Sequence, residues 1–123
     1  MFTNSILKSI FKRTSGHCHF CGDLLIFEKY ASRNQDDLNG AWEVDHVVQK
    51  AKEGKDSPDN CLPTCVQCNR LRWHRKGDDL RELIFLGLIA KDEIKKSSTV
   101  GQTLLGLKDK RIATNRKRRR NVG

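Results

Sequence analysis

At 123 residues and 37% hydrophobic, the chain has room for one small domain with a tail, and its core is modest enough that a metal staple would reinforce it. No apolar run approaches the ~18 residues needed to span a membrane, and Thr3, Asn4, Ser5 and Lys8 interrupt the opening apolar residues, so a membrane span and a secretory signal are disfavoured. Of the formal charge of +9, residues 108–123 supply +7 through eight Lys/Arg against Asp109, which points to a polyanionic partner, nucleic acid rather than membrane, met by the tail.

Taken in chain order, Met1–Thr14 has Ile6, Leu7, Ile10 and Phe11 spaced to share one face of a short helix, expected to cap the core. Cys18-His19-Phe20-Cys21-Gly22 reads as a tight turn. Leu24–Tyr30 is apolar and aromatic enough to be a strand, Ala31–Gly40 is a polar loop, and Ala41–Val47 reads as a second strand with Trp42 and Val44 on one side. Lys50–Asn60 carries Gly54, Ser57 and Pro58 among charges and is a loop. Cys61–Thr64 returns to the core, and Cys65-Val66-Gln67-Cys68 leads into a helix expected to reach Arg75. Gly77 breaks that helix, and Asp78 is placed to cap the next. Leu80, Leu83, Ile84, Leu88 and Ile94 then give helical spacing to about Lys96, with an interruption expected near Gly87. A last weak helix is expected from Thr99 into the tail. The implied division is a capping helix over 1–17, a core over 18–77, a helical extension over 78–107 and a basic tail over 108–123.

Cys18 and Cys21 form one C-x2-C pair, and Cys65 and Cys68 form another. A tight turn aims both sulfurs of such a pair at one point, and two pairs fill all four positions of tetrahedral zinc, giving a closed structural site. With neither a span nor a secretory signal expected, a cytoplasmic location is the default, and the five cysteines are therefore read as thiols or metal ligands rather than disulfides. His17 and His19 flank Cys18 and are expected to be exposed. Cys61, left over, reads as a small core hydrophobe.

Asp45-His46 places an acid beside a base at the end of the second strand. Neighbours in a strand point to opposite faces, so the two would diverge unless the strand ends or bulges there. Asn60 precedes the second cysteine pair and Asn69 directly follows Cys68. Asp-His, then Asn, then Cys-x2-Cys-Asn resembles the HNH motif of the ββα-metal endonucleases, in the zinc-stapled branch and the variant whose last member is Asn, over about residues 18–76. The resemblance implies a small α+β fold with a ββα-metal, treble-clef-like core, a structural zinc site of four cysteines, a short N-terminal helix and C-terminal helices.

It also implies roles. His46 would be the general base that deprotonates water, Asp45 and Asn69 would bind Mg²⁺ or Mn²⁺ through hard oxygen, and Asn60 would hold the imidazole in orientation. The activity implied is endonucleolytic hydrolysis of DNA phosphodiesters, leaving 5′-phosphate and 3′-hydroxyl ends, in a family common in bacteria and phages. The sequence departs from the family after Asn69, where Arg70, Arg72, His74, Arg75 and Lys76 crowd the helix. His74 lies ~140° around a regular helix from Asn69 and is the weaker candidate ligand, whereas Arg72, ~60° away, suits a phosphate clamp. Arg70, Arg72, Arg75 and Lys76, with Arg116, Lys117, Arg118, Arg119 and Arg120 of the tail, form the expected nucleic-acid contacts. Two other functions fit the same residues: a non-catalytic zinc-stapled nucleic-acid-binding module, and a nuclease subunit that docks a protein partner through Leu80–Ile94.

Overall fold

The computed structural model describes residues 2–32, 34, 36–48, 54–73 and 77–120, apart from the side chains of Trp73, Asp79 and Arg120. Helix α1 spans Asn4–Lys12, strand β1 Trp42–His46, strand β2 Cys61–Cys65, and helices α2, α3 and α4 span Val66–Trp73, Gly77–Lys96 and Thr99–Arg120. The fold is small α+β, with one two-stranded antiparallel sheet among the described residues.

The register pairs Trp42 with Cys65, Asp45 with Leu62 and His46 with Cys61. Because successive side chains alternate across the ribbon, Trp42, Val44 and His46 leave one face while Glu43 and Asp45 leave the other. The Trp42 face meets α1. There Leu7 and Ile10 are buried with Trp42 and Cys61, and Phe11 lies 5.4 Å from the Trp42 ring. The amphipathic stripe expected for α1 is the one that packs. Thr3 caps the helix by accepting the Ile6 amide at 3.2 Å, and burying side chains such as Leu7 and Ile10 is worth about 1.5–3 kcal/mol each. At the C-terminal end of α1, Arg13 donates to the carbonyls of Pro58 and Cys61, each at 2.7 Å, and so fixes the start of β2.

Leu24–Tyr30 is not a strand. Phe27–Lys29 forms a turn of 3₁₀ helix, and pairing is confined to isolated bridges at His17–Leu24 and Tyr30–Trp42. The Trp42 indole N–H takes the Phe27 carbonyl at 3.0 Å, satisfying a buried donor and pinning the chain in a turn rather than along a partner strand. Only residues 54–60 of the Lys50–Asn60 loop are described; they end in a 3₁₀ turn at Pro58–Asn60.

The C-terminal half is a helical hairpin. Helix α3 begins at Gly77 itself, at φ +87°, so Asp78 lies inside the helix rather than capping it, and no break occurs at Gly87. Ser98 joins the hairpin, its hydroxyl accepting the Gly101 amide at 3.0 Å. Gly101 packs so closely on the end of α3 that a Cβ there would lie 2.0 Å from the Glu93 carbonyl oxygen. The outer surface of α3 leaves Ile84, Phe85 and Leu88 exposed, within the segment read as a partner surface. No helix of the described residues is long and apolar enough to cross a membrane.

The tail is not a loose arm. Helix α4 runs without a break through the expected 107/108 boundary and returns to the cysteine turn. Asn115, only 7% exposed, donates to the Phe20 carbonyl at 2.8 Å, and Arg119 donates to the His19 carbonyl at 2.8 Å. Gly22, at φ +86°, faces Asn115 so tightly that a Cβ would come within 2.8 Å of its Oδ1. Replacing Gly101 by Ala forces backbone apart at the hairpin turn, and a loss of about 1–3 kcal/mol is expected in denaturant unfolding followed by circular dichroism.

Candidate active site and cysteine cluster

The cysteine cluster joins two segments. Cys18 and Cys21 sit in the turn before Leu24, closed by the Gly22 amide donating to the Cys18 carbonyl at 2.9 Å. Cys65 ends β2 and Cys68 lies in the first turn of α2, its amide 3.4 Å from the Cys65 sulfur. The four Sγ atoms all lie within 4.8 Å of one another, and Cys21 and Cys65 are 3.8 Å apart. Tetrahedral zinc with Zn–S bonds of about 2.3 Å needs sulfur–sulfur edges of ~3.8 Å, so the cluster fits that ion.

Electrostatics points the same way. Hydrogen bonds from Cys65 and Cys68 hold Cys18 well below the usual thiol range. Burial pushes Cys21 up to about 12, and the bonds to Cys18 drive Cys65 and Cys68 upward. One thiolate is favoured and its neighbours resist ionising beside it, a conflict that a divalent cation at the centre removes. Cys61 stands apart, fully buried in the core against α1.

Asp45 is 1% exposed, on the sheet face away from α1. Its Oδ2 accepts His19 Nε2–H at 2.8 Å and pairs with the Arg72 guanidinium from α2. His19 is therefore not an exposed turn residue; it is 8% exposed, its ring turned inward against Asp45. His17 is half-buried, its Nδ1 2.9 Å from the Ser15 carbonyl. Arg72 is not left open as a phosphate clamp: besides Asp45 it lies 5.6 Å from the centre of the Phe20 ring. Asn69 and Arg72 are three residues apart on α2, which places the two positions on neighbouring parts of one helix face.

Two atoms in this region are buried and lack a hydrogen-bond partner among the described residues, Asp45 Oδ1 and Asn69 Oδ1. Unpaired buried oxygens are costly and rare. Both are hard acceptors of the kind that bind Mg²⁺ or Mn²⁺, so the chemistry of each suits a divalent ion. His74, Arg75 and Lys76, and with them the alternative ligand and two expected phosphate contacts, lie outside the described residues.

His46 is the last residue of β1 and leaves the opposite face from Asp45, 6.0 Å from the Phe2 ring. The strand does not bulge, so the two side chains diverge to opposite faces. The His46 ring is oriented by Asp56, whose Oδ1 lies 2.6 Å from Nε2. A carboxylate only accepts, so Nε2 donates to Asp56 and Nδ1 is the ring nitrogen that Asp56 leaves unengaged. The bonds of Asn60 differ from expectation. Its side chain donates to the Val48 and Lys55 carbonyls at 3.0 and 2.9 Å and accepts the Val48 amide at 2.8 Å, so it ties together the backbone of the loop that bears Asp56. Its effect on the imidazole is indirect because a short amide in this position reaches the adjoining backbone first.

Of the expected nucleic-acid contacts, Arg70 is exposed on α2, and Arg116 and Lys117 are exposed on α4. Arg118 and Arg119 are half-buried against the cysteine turn, Arg118 reaching the Gly22 carbonyl at 3.5 Å. The Arg120 side chain lies outside the description. His19, Asp56 and Asn115 were missed as functional neighbours. Position within the turn was the one available signal for His19, and nothing local marked the other two.

The model of the HNH endonuclease family matches residues 18–75. This segment is an HNH domain. It holds the cysteine cluster, Asp45-His46, Asn60 and Asn69. Among characterised relatives, the chain is 30% identical over 80 residues to the type IV methyl-directed restriction enzyme EcoKMcrA of Escherichia coli (strain K12), an alignment covering 64% of this chain and 27% of that protein. The chain thus spans about a quarter of the relative's length. No solved structure gives a significant match.

Replacing Cys68 by Ser removes one corner of the cluster. The expected result is loss of the single zinc per chain in elemental analysis, together with loss of cooperative unfolding, because metal binding at such a site contributes directly to folding.

Proposed function

We propose that the HNH domain is a metal-dependent endonuclease that hydrolyses DNA phosphodiester bonds, stapled by zinc at Cys18, Cys21, Cys65 and Cys68. The observation that carries this reading is that Asp45 Oδ1 and Asn69 Oδ1 are buried with no hydrogen-bond partner among the described residues, in a domain where Asp56 already orients the His46 ring. Asp45 Oδ1 and Asn69 Oδ1 would hold Mg²⁺ or Mn²⁺, which when bound supplies charge stabilisation at the scissile phosphate and the leaving 3′ oxygen. His46 takes the proton of the attacking water on Nδ1, while Asp56 fixes the ring through Nε2 and stabilises it once charged. Asn60 holds the loop on which Asp56 is carried. The relative is a restriction enzyme by name, which favours DNA as the substrate.

The test is cleavage of supercoiled plasmid with Mg²⁺ or Mn²⁺ and with EDTA. His46→Ala is expected to lose about 10²–10⁴-fold in rate with zinc content and fold unchanged, the usual worth of a general base. Failure of the intact protein to cleave plasmid, single strands or RNA with either metal would overturn the reading and favour a non-catalytic binding module.

DNA affinity is expected to depend on the exposed cations of α4. Changing Arg116 and Lys117 together to Gln removes two phosphate contacts, so the slope of log affinity against log salt should flatten by about 2 units. An unchanged slope in fluorescence anisotropy would show that α4 is electrostatically idle.

A further inference from the structure

We propose that His19 is a positioning residue for Asp45, and that helix α4 holds His19 in place, so that the C-terminal helix tunes the affinity of the active site for its divalent ion. The inference rests on the reading of Asp45 as a ligand, and extends it to residues that the HNH motif does not include.

Asp45 is a carboxylate with two inequivalent oxygens. Oδ2 is saturated by His19 Nε2–H at 2.8 Å and by Arg72, while Oδ1 is buried with no partner among the described residues. Two donors on one oxygen stop the carboxylate from rotating about its χ2 bond and from offering both oxygens to an ion. The ion then meets one preset oxygen, and no ordering of that side chain is needed when it binds.

The position of His19 is itself determined from three sides. Its amide donates to the Pro63 carbonyl of β2 at 3.0 Å. Its carbonyl accepts Arg119 at 2.8 Å, and the next carbonyl, that of Phe20, accepts Asn115 at 2.8 Å. The Phe20 ring lies 4.1 Å from the His19 ring and also faces Arg72, so the second donor to Asp45 is braced by the same turn. The residues of α4 act on Asp45 only through this turn.

The experiment is titration of zinc-loaded protein with Mn²⁺ alone, followed by calorimetry or by the electron paramagnetic resonance of free Mn²⁺, with no DNA present. His19→Ala is expected to raise the Mn²⁺ Kd by about tenfold or more, the usual effect of removing a partner of a metal ligand. His19→Gln, which keeps an N–H donor at similar reach, is expected to recover most of the affinity. Arg119→Gln leaves the cysteine turn's own sequence intact and is expected to weaken binding by a smaller factor, about two- to fivefold, with one zinc retained per chain. Asp45→Asn is the reference. If Asp45→Asn weakens Mn²⁺ binding while His19→Ala and Arg119→Gln bind as the intact protein does, the positioning role is wrong and the nuclease reading stands. If Asp45→Asn binds Mn²⁺ as well as the intact protein, the ligand assignment fails and the positioning role falls with it. A His19→Gln protein as weak as His19→Ala would show that the side chain fills space rather than donating to Asp45, and would also overturn the proposal.

Discussion

Four sulfurs brought within 4.8 Å of one another are the constraint on which the rest of this structure depends. Cys21 and Cys65 are separated by more than forty residues, and joining them fixes the turn at 18–22 against the end of β2 and the start of α2. That closure orients α2, and α2 brings Arg72 to Asp45. A two-stranded ribbon of five-residue strands has little independent stability. It persists because α1 covers one face with Leu7 and Ile10 while the cysteine turn and α2 cover the other.

The same two-sided arrangement explains how an acid and a base adjacent in sequence acquire separate surroundings. Asp45 faces the turn and α2, where His19 and Arg72 occupy one of its oxygens. His46 faces the α1 side and is paired with Asp56 from the 54–60 loop. Neither partner depends on the other, so the metal-binding and proton-accepting functions proposed for this site are supported by separate parts of the chain: the acid by the cysteine turn and α4, the base by Asn60 and, through Arg13, by α1.

What the sequence made legible follows from local rules. The stripe of Ile6, Leu7, Ile10 and Phe11 has the period of a helix face and packs as one. Each C-x2-C spacing aims its own two sulfurs at one point, as the cluster shows, and Ala41–Val47 reads as a strand because Trp42 and Val44 alternate with polar residues. The misreadings arose where a distant partner overrode local preference. Leu24–Tyr30 is apolar and aromatic like a strand, yet the Trp42 indole N–H donates to the Phe27 carbonyl and a turn forms there. His19 is polar and lies between two cysteines of the cluster, which suggests exposure until Asp45 supplies a buried acceptor. Arg118 and Arg119 resemble the rest of a basic tail, and only the carbonyls of residues almost a hundred positions earlier distinguish them from Arg116 and Lys117. No local pattern encodes such pairings, because each depends on geometry established by the cysteine cluster.

The docking of α4 has a consequence for the order of assembly. Every cysteine of the cluster lies within the first 68 residues, whereas Asn115, the buried residue that seats α4, comes 47 residues later. At a synthesis rate of about 5–20 residues per second, roughly 2–9 s separate the emergence of Cys68 from that of Asn115. A metal ion held by the four cysteines would therefore find all its ligands synthesised before the residues of α4 that cover the turn. The contacts of longest sequence separation are thus also those whose second partner is synthesised last, and an early-folded core would lower the loop-closure cost of making them.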